Sequence, residues 1–512
     1  MSRKLIFIAF VVSLGGFLFG FDAGIISGVM NYAGPEFELN DLQSGWVVSS
    51  PTFAAMIAML FSGRLSDKIG RKKILIVVAF LYAVSALFSA YALSYEMLYM
   101  ARMIGGLAFG AALILAPTYI AEISTAENRG KLVSIQQLNI VLGFFVAFLS
   151  NYYLNKTNTG GESFLTNENV WRWMLGLEMI PAVIYFIALF FVPKSPRWLF
   201  ANNHIDEAKK VLNEIHGAEQ AGKEIATIEE NIKADDDNSK VAIKDLLKKS
   251  LRVIMIIGLV ISVLQQITGI NAVYFYATSI FKQTGIGTDA SFASGVLLST
   301  VTVIFTFVAI ILIDKMGRRP LLLIGMAGIA VSLLFCSYGF KNATYQLTKE
   351  EISTFRFEGA DQLKQFAGIT YTNDLDFKND IKSVLNAPIY GKNDGTILEA
   401  ATSMNSTIVL IGILGFIACF AFSLGPVMWV LLSELFPIKY RGLAIGFIGF
   451  VNSFVSWVIQ QLFPWELSNL GNALTFFIFG VIALFGFFIL LKILPETKGK
   501  SLEEIEHELV KG

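Results

Sequence analysis

Cysteine and histidine are scarce in this chain, and their scarcity disfavours several classes of function. Only two cysteines and three histidines occur among 512 residues. Cys336 and Cys419 both fall inside long apolar segments, so no disulfide framework is predicted. His204, His216 and His507 show no metal-ligand spacing, and the sequence contains no nucleophile elbow. We therefore expect a protein that is not an enzyme and that carries neither a metal nor a cofactor.

Charged residues are also few, and the long uncharged runs between them predict membrane spans. Charged residues make up 16% of the chain and apolar residues 54%. Uncharged runs of roughly 20 residues, long enough to cross a bilayer as helices, recur along the chain. Helices also satisfy the backbone polar groups that lipid cannot. We predict an all-α membrane protein with twelve spans, at residues 5–28, 44–63, 74–94, 97–121, 132–153, 172–192, 252–281, 292–313, 320–340, 404–435, 442–465 and 472–494.

The net charge is zero, but basic residues are distributed unevenly between the loops. They concentrate in the N-terminal arm and in the short loops after even-numbered spans, with Lys156 and Lys282 as the main exceptions. The positive-inside rule then predicts cytoplasmic N- and C-termini in a plasma (inner) membrane protein. The basic N-terminal arm is not interpreted as part of a signal peptide, because the apolar run that follows it is too long and contains Asp22.

Two loop signatures occur twice, which predicts two related halves. The first, Gly63-Arg64-Leu65-Ser66-Asp67-Lys68-Ile69-Gly70-Arg71-Lys72, returns in part as Asp314-Lys315-Met316-Gly317-Arg318-Arg319. The second combines Glu122 with Arg129-Gly130 and returns as Glu434 with Arg441-Gly442. The offset from acid to arginine is four positions in both copies of the first signature and seven in both copies of the second.

These repeats divide the chain into a six-helix bundle at 1–193, a linker at 194–250, a second six-helix bundle at 251–495 and a cytoplasmic tail at 496–512. In the linker, the spacing of Ala208, Val211, Leu212 and Ile215, and of Ile225, Ile228 and Ile232, predicts amphipathic cytoplasmic helices, with a flexible charged linker as the alternative. An insertion at 341–403 holds seven basic and nine acidic residues, and we predict a solvated extracytoplasmic excursion.

Several further strings, taken in order, are similar to those of the sugar porters of the major facilitator superfamily. They are Pro193-Lys194-Ser195-Pro196-Arg197-Trp198, Gln265-Gln266-Ile267-Thr268-Gly269-Ile270-Asn271, Gly425-Pro426-Val427-Met428-Trp429 and Pro495-Glu496-Thr497-Lys498-Gly499. Proton-coupled xylose and hexose symporters and facilitative glucose transporters belong to that family. The resemblance implies two pseudo-symmetric six-helix bundles around a central site that opens alternately to each side of the membrane.

The charged loop signatures predict a cytoplasmic gate. Opposite charges on the two bundles would latch that side shut and part as the bundles rock, and such networks in similar families favour the outward-facing state. Gly63 and Gly70 in the signature would allow close backbone approach. The predicted gate residues are Gly63, Asp67, Arg71, Glu122, Arg129, Asp314, Arg318, Glu434 and Arg441. A simpler role in fixing topology is the alternative for neighbouring lysines.

Amides at membrane depth are the predicted sugar ligands, since an amide both donates and accepts hydrogen bonds as a hydroxyl does. By resemblance Gln137, Gln265, Gln266 and Asn271 match the family's ligands, and a helix break at Gly269 would turn the last three toward one cavity. Asn452 is assigned to packing. Amides can instead serve as interhelical glue.

Aromatic rings complete the predicted sugar site. Trp429 and Phe19 would lie against the apolar face of a pyranose, and Tyr274 would close the outer mouth. The family commonly has an amide, often followed by tryptophan, four residues before the position of Asn452. Ile448 and Gly449 stand there instead, so a smaller or deoxy sugar, or a site with an added water, is expected.

Asp22 is predicted to couple transport to protons, because a carboxylate inside a span must be protonated or paired with a cation. Arg102 is the natural partner, and Glu178 is a second buried carboxylate that would tune the pair. In the family, aspartate at this position accompanies proton symport, whereas facilitative members usually have a neutral residue. A permanent structural ion pair is the alternative.

The sequence thus predicts a proton-coupled monosaccharide symporter for a pentose or hexose, which acts as a monomer in a lipid bilayer without a nucleic-acid partner. Two alternatives stay open. One is a facilitative sugar or polyol uniporter with an inert Asp22. The other is a membrane sugar sensor with little transport, which the short tail after Leu502-Glu503-Glu504-Ile505 disfavours.

Overall fold

The computed structural model describes residues 2–125, 128–158, 165–226, 245–246, 248–436 and 438–497, without the side chains of residues 249, 250, 314, 438 and 439. Helices of the first half are α1 (Arg3–Glu36), α2 (Asp41–Ile69), α3 (Arg71–Ala90), α4 (Tyr95–Ile123), α5 (Arg129–Thr157), α6 (Val170–Gly176) and α7 (Met179–Phe190). The linker contains α8 (Pro196–Ala201) and α9 (Ile205–His216).

The second half follows the same order of helices, but some of its helices are divided into shorter ones and it contains the insertion. Its helices before the insertion are α10 (Lys249–Ile267), α11 (Ile270–Phe275), α12 (Ala277–Lys282), α13 (Thr288–Met316) and α14 (Arg318–Lys341). The insertion holds β1 (Thr344–Tyr345), α15 (Lys349–Thr354), a 3₁₀ helix (Ala360–Phe366), α16 (Asp374–Val384), α17 (Ala387–Ala401) and β2 (Thr402–Ser403). After it come α18 (Ser406–Phe422), α19 (Leu424–Leu435), α20 (Ile438–Asn469) and α21 (Gly471–Ile493).

Twelve candidate membrane spans occur among the described residues, which confirms the number predicted from the sequence. Several helices run past the predicted ends, because their polar ends continue the helix beyond the apolar stretch. The first span reaches Glu36 rather than residue 28, and the fifth reaches Thr157 rather than residue 153. The chain is therefore a multi-pass membrane protein.

Three spans are interrupted within the membrane region. Gly269 has φ +85°, a left-handed conformation that suits glycine, and it separates α10 from α11 as predicted. Ser423 separates α18 from α19, and Glu178 precedes α7 where the sixth span is broken. Each break leaves backbone groups outside the regular helical ladder, so neighbouring polar groups can reach them.

By internal contacts the chain divides into two units that do not coincide with its two halves. The first unit comprises residues up to Asp22, Ser50–Phe144 and Leu175–Asp245. The second comprises Ala23–Ser49, Phe145–Met174 and the residues from Leu246 onward. Parts of α1, α2, α5 and the sixth span therefore pack with helices of the second half. The end of a helix on the side of residues 341–403 is called its insertion end, and the opposite end is called its signature end.

In the first unit, α1 and α5 approach each other backbone to backbone. An added Cβ at Gly20 would lie 2.0 Å from the carbonyl oxygen of Ile140, and one at Gly143 would lie 2.1 Å from that of Phe17. Small residues let membrane helices pack this closely. Because Gly20 is two residues from Asp22, the same contact fixes where the carboxylate of Asp22 lies.

The predicted amphipathic helix of the linker is present as α9. Its apolar residues Ala208, Val211, Leu212 and Ile215 are buried as the spacing predicts. At its exposed end, Lys4 Nζ lies 2.8 Å from Glu214 Oε2, and this hydrogen bond lowers the pKa of the Glu214 carboxyl. The later apolar positions Ile228 and Ile232 lie outside the described residues.

Residues 341–403 form a folded subdomain with a buried core of its own, which the prediction of a solvated extracytoplasmic excursion did not include. β1 pairs antiparallel with β2, with Thr344 opposite Ser403, which brings the two ends of the insertion together. The buried core of the subdomain consists of Ala343, Tyr345, Leu347, Ile352, Leu363, Phe377, Ile381, Leu385, Ile397, Leu398 and Ala401. The sequence does not indicate this core, because its apolar runs are short and scattered among charged residues, so that no single run is long enough to predict a core.

Aromatic residues organise this core. The rings of Tyr345 and Phe377 stack with centroids 5.4 Å apart, and Tyr371 packs edge-on against Phe377 at 5.6 Å. Tyr371 donates a hydrogen bond of 2.6 Å to Asp380 Oδ2. Partial burial and the Asp380 carboxylate raise the pKa of Tyr371 to about 12, so the phenol stays protonated and keeps donating.

We predict that Gly143→Val destabilises the protein by about 1–3 kcal/mol, because its side chain must displace the backbone of α1. The apparent melting temperature in detergent, measured with a thiol-independent probe, should fall clearly below that of the unaltered protein. Gly446→Ala is the matched control, because an added Cβ there meets no heavy atom within 4 Å. An unchanged melting temperature in Gly143→Val would contradict the tight seam between α1 and α5.

Candidate functional site

The predicted amides of the seventh span are brought together by the break at Gly269. Asn271 Nδ2 donates to Gln266 Oε1 at 2.9 Å. Gln266 Nε2 in turn donates to Gln265 Oε1 at 3.2 Å. Gln265 anchors the group by donating from Nε2 to the carbonyl of Leu424, 2.9 Å away at the start of α19. Two helix breaks therefore meet at one cluster of amides.

Asn452 of α20 lies in the middle of this cluster, although the sequence analysis had assigned it to packing. Its Nδ2 donates to Gln265 Oε1 at 2.8 Å and to the carbonyl of Ser262 at 2.9 Å. Its Oδ1 accepts from Gln266 Nε2 at 3.1 Å. Asn452 therefore orients both glutamines and belongs to the same site.

Ser456 is a member of the cluster that the sequence analysis missed. Its Oγ accepts from Asn271 Nδ2 at 2.7 Å and from Gln460 Nε2 at 2.7 Å. The signal was present in the sequence, since Asn452, Ser456 and Gln460 are spaced four residues apart on one helix. Residues at that spacing share a helix face, so three polar residues in a row at membrane depth indicate a functional face.

The cluster is satisfied internally but keeps hydrogen-bonding capacity at one edge. Gln265, Gln266 and Asn452 are buried, whereas Asn271 is half-buried. Asn271 Oδ1 accepts no hydrogen bond from any described residue. An accessible amide oxygen beside a preorganised amide network can accept a hydrogen bond from a ligand hydroxyl while the hydrogen bonds of the network stay in place.

Trp429 lies in the second unit and is 42% exposed. An added Cβ at Gly449 would be 3.7 Å from the tip of that indole. The missing side chain at Gly449 therefore opens space next to the ring of Trp429. Ile448 is fully buried and its Cδ1 points at Gly258, so it packs α20 against α10.

The other predicted sugar contacts have different surroundings. Tyr274 is buried, and its hydroxyl lies 2.7 Å from Thr302 Oγ1 within the second unit. In the first unit, Phe19 packs against Phe109 with centroids 4.9 Å apart. Gln137 is half-buried in the first unit, and its amide makes no hydrogen bond with any part of the chain that the structure describes. Of these three side chains, Gln137 retains the most capacity to bind a ligand.

Asp22 and Arg102 form the predicted ion pair within the first unit. Arg102 Nη1 lies 3.0 Å from Asp22 Oδ1, and Nη2 lies 3.4 Å from Oδ2, so the guanidinium engages both carboxylate oxygens. Asp22 is 7% exposed and Arg102 is 2% exposed. A charge this deeply buried is costly unless it is paired, and separation of the pair would leave two uncompensated charges.

Glu178 is buried at the break of the sixth span and interacts electrostatically with both members of the pair. Two carboxylates beside one guanidinium cannot both be fully neutralised by it. The broken helix places Glu178 here, since its backbone precedes α7 instead of continuing a regular turn. A role for Glu178 in tuning the pair stays a prediction.

The first copies of the loop signatures form one charge cluster at the signature end. Arg71 Nη2 lies 2.6 Å from Asp67 Oδ1 and 3.0 Å from Glu122 Oε1. Arg71 Nη1 also donates to the carbonyl of Ser66. Ser195, from the string after the sixth span, donates to Glu122 Oε2. Three sequence motifs of the first half thus meet at Arg71.

The second copies reproduce that geometry in the second unit. Arg318 Nη2 lies 2.7 Å from Glu434 Oε1. Arg318 Nη1 donates to the backbone carbonyl of Ile313, five residues earlier in the chain. Arg71 likewise donates to the carbonyl of Ser66, five residues before it. Thr497 Oγ1 donates to Glu434 Oε2 at 2.6 Å and takes the place that Ser195 has beside Glu122. Glu496 accepts from the backbone nitrogens of Arg318 and Arg319 at 3.1 Å.

The described contacts of the predicted gate residues lie within each unit, and the gate stays a prediction. Among the described side chains of the signatures, Arg71 pairs with Asp67 and Glu122, and Arg318 pairs with Glu434, each inside its own unit. Arg129 is exposed, and Arg441 Nε donates to the carbonyl of Phe436. The side chain of Asp314 lies outside the described residues. The charges therefore hold the loop ends of each unit in place.

Gly63 departs from its predicted role. No heavy atom lies within 4 Å of an added Cβ at Gly63, so the close backbone approach predicted there was wrong for this glycine. Gly70 is the constrained glycine of the signature, with φ +104° and an added Cβ 3.3 Å from the indole of Trp198. Trp198 Nε1 donates to the carbonyl of Asp67 and so closes the same loop.

The sequence model of the family described as "Sugar (and other) transporter" matches residues 8–357 and 387–509. The arabinose-proton symporter of Bacillus subtilis (strain 168) is 34% identical over 507 residues, which cover 99% of this chain and 95% of that protein. The chain belongs to the sugar transporter family. The unmatched segment of this sugar transporter, residues 358–386, falls inside the insertion.

Solved structures support the same assignment. The xylose transporter XylE from E. coli, in a partially occluded inward open conformation, matches with a TM-score of 0.75 at 26% identity and covers 98% of this chain and 100% of its own. A structure of the major facilitator proton:xylose symporter XylE bound to 6-bromo-6-deoxy-D-glucose matches with a TM-score of 0.70 at 27% identity, over 99% of this chain and 100% of that one. The sugar transporter has the major facilitator fold, with twelve spans in two pseudo-symmetric bundles, and its family consists of transporters.

We predict that Arg71→Lys destabilises the sugar transporter by about 1.5–3 kcal/mol, because a lysine ammonium cannot replace the several guanidinium contacts to Glu122, Asp67 and Ser66. The apparent melting temperature should fall, and Arg318→Lys should produce a loss of similar size. Arg129→Lys, at an exposed arginine of the same signatures, is the matched control and should have little effect. Equal effects of all three substitutions would argue against the paired clusters.

Proposed function

We propose that this sugar transporter is a proton-coupled monosaccharide symporter that works by alternating access. The observation that carries the proposal is the buried pair of Asp22 and Arg102, in which both carboxylate oxygens face one guanidinium inside the spans. Relatives named as proton symporters for arabinose and xylose support proton coupling and a monosaccharide substrate. A pentose or a hexose is the substrate class.

The amide cluster of the second unit supplies the sugar-binding chemistry. A monosaccharide presents several hydroxyls, each of which donates and accepts, and amides match both functions without introducing a charge. Asn271 offers a free acceptor at the edge of the cluster, and Gln265, Gln266, Asn452 and Ser456 hold it in place. The exposed indole of Trp429 offers an apolar surface for the C–H face of the ring.

The space beside Trp429 shapes the choice of sugar. Gly449 contributes no side chain there, and Ile448 turns into the packing between helices, so neither residue offers a hydrogen-bonding group on this side of the site. A hydroxyl placed there would find no protein partner except through water. We infer a preference for sugars that lack a hydroxyl, or are smaller, at that position.

Proton coupling follows from the cost of a buried charge. While Arg102 pairs with Asp22, the carboxylate is stable without a proton; when the pair separates, a proton is the alternative means of neutralising Asp22. Glu178 is a second buried carboxylate of the first unit, and we infer that its charge tunes the pair. Transport then takes one proton up at Asp22 before the sugar moves and releases it after the sugar leaves.

The orientation in the membrane is part of the proposal. The basic residues of the signature loops favour a cytoplasmic signature end with both termini in the cytoplasm, and the insertion end would then face outward. We infer a monomer in the plasma (inner) membrane, with lipid around the twelve spans and no further partner.

We predict that Asp22→Asn abolishes proton-driven accumulation of sugar while sugar exchange across the membrane persists, because the amide cannot carry a proton. Proteoliposome uptake of labelled pentoses, hexoses and inositols under an imposed pH gradient measures this. Glu96→Gln, which removes an exposed carboxylate of α4, is the matched control and should leave accumulation unchanged. Unaltered uphill uptake by Asp22→Asn would instead support a facilitative uniporter in which the pair is structural.

We predict that Gln266→Ala weakens sugar binding by roughly tenfold or more, because Asn271 and Asn452 each lose a partner and a buried donor or acceptor is left unpaired. Binding of the transported sugar to purified protein, measured by calorimetry, gives the affinity. Asn151→Ala is the control, since Asn151 is an equally buried amide that donates to the carbonyls of Gly24 and Ile25. If both variants lose stability but keep sugar affinity, the amides act as interhelical glue.

A further inference from the structure

The insertion is attached to the sugar transporter at the short helix α12. Lys282, at the end of α12, is buried, and its Nζ lies 2.6 Å from Asp394 Oδ1 of α17. The stem of Lys282 crosses α17 so closely that an added Cβ at Gly395 would lie 2.3 Å from Lys282 Cε. A lysine packed this way has little water near it, so Asp394 supplies its main compensation.

The turn after α12 is also held by the insertion. Gly285 has φ +73°, and an added Cβ there would be 2.7 Å from Thr402 Cβ of β2. At Gly287 an added Cβ would be 2.8 Å from Glu399 Oε1 of α17. The segment from Lys282 to Gly287 is therefore pressed against α17 and β2 without an intervening side chain.

A second attachment joins the insertion to the first turn of α21. The buried Asp374 at the start of α16 accepts from Asn472 Nδ2 at 2.9 Å and from Lys378 Nζ at 2.8 Å. Gly471 has φ +79°, and an added Cβ would lie 2.7 Å from Asp374 Oδ1. The insertion thus contacts both α12 and α21, and it has a packed core of its own, as interiors that transmit strain do.

On its other side, α12 is hydrogen-bonded to α1. Thr278 of α12 donates from its backbone nitrogen to Ser27 Oγ at 3.0 Å, and its hydroxyl donates to the carbonyl of Ser27. Asn31 Nδ2 donates to Thr278 Oγ1 at 2.8 Å. These contacts close α1 against α12 at the insertion end, and they must break if the two helices separate there.

The insertion also reaches α1 directly. An added Cβ at Gly391 of α17 would be 3.5 Å from Pro35 Cβ near the end of α1. α17 therefore lies against α12 through Asp394 and against α1 through Gly391. A single helix of the insertion, α17, therefore contacts both α1 and α12.

We propose that the insertion is a positioning element for α12: the Lys282–Asp394 pair, anchored through Asp374 and Asn472 on α21, holds α12 against α1 and sets how readily the transporter opens at the insertion end. The proposal rests on the alternating-access function proposed above. Asp394 acts through Lys282 and touches no substrate. Loss of the Asp394 charge leaves the Lys282 ammonium buried without compensation, and movement of α12 toward water relieves it.

Hydrogen–deuterium exchange of the full-length protein in nanodiscs tests the proposal. In Asp394→Asn, exchange in residues 277–282 and 27–36 should rise by about tenfold or more, because these segments open more often. Asp394→Glu should restore slow exchange, since it keeps the charge. Asp361→Asn, which removes an exposed pair with Lys364 in the same insertion, should leave both segments unchanged.

A second variant separates positioning from simple damage to the insertion. Lys282→Met combined with Asp394→Leu leaves no unpaired charge, so exchange in 277–282 should return close to that of the unaltered protein. Exchange that rises only within 341–403, or an Asp394→Asn variant with unchanged exchange in 277–282, would overturn the proposal. Because the measurement needs neither sugar nor a pH gradient, a failed symport assay leaves its result interpretable.

Discussion

Polar side chains inside the spans must find protein partners, because lipid offers no hydrogen bonds, and this constraint organises the molecule. It explains why Asp22 and Arg102 engage each other through both carboxylate oxygens. It also explains why Gln265 and Gln266 share donors and acceptors with Asn452 instead of standing alone. A transporter can use such groups only where one edge of a satisfied network stays open to its ligand.

The duplicated signatures show how one arrangement of charges serves two units. In each unit an arginine binds a glutamate of a distant helix, a backbone carbonyl five residues before itself, and, through the glutamate, a hydroxyl from a third motif. The hydroxyl is that of Ser195 in one unit and Thr497 in the other. The repeat therefore preserves a three-part contact rather than a string of residues, and it fixes the loop ends from which the helices begin.

The accuracy of prediction differed with the range of the interaction. The break at Gly269 was predictable because a local backbone conformation decides it. The grouping of Asn452 with Gln266 was not predictable, because the register between α20 and α10 decides which side chains of the two helices lie opposite each other. The core of residues 341–403 was also missed, since its stability comes from packing Tyr345 on Phe377 across 32 residues of chain.

The sequence by itself determined the twelve spans and the duplication, because length, apolar content and repeated charges are properties of neighbouring residues. Its motif strings carried the resemblance to the family, and Arg102 was predicted only as the natural partner of Asp22. Tertiary structure decided the rest. It showed that the arginines bind within each unit, that Ser456 joins the amide cluster, and that the insertion holds α12 through Lys282. Those contacts join residues far apart in sequence, and only the packing of helices sets which of several chemically suitable partners lies within hydrogen-bond distance.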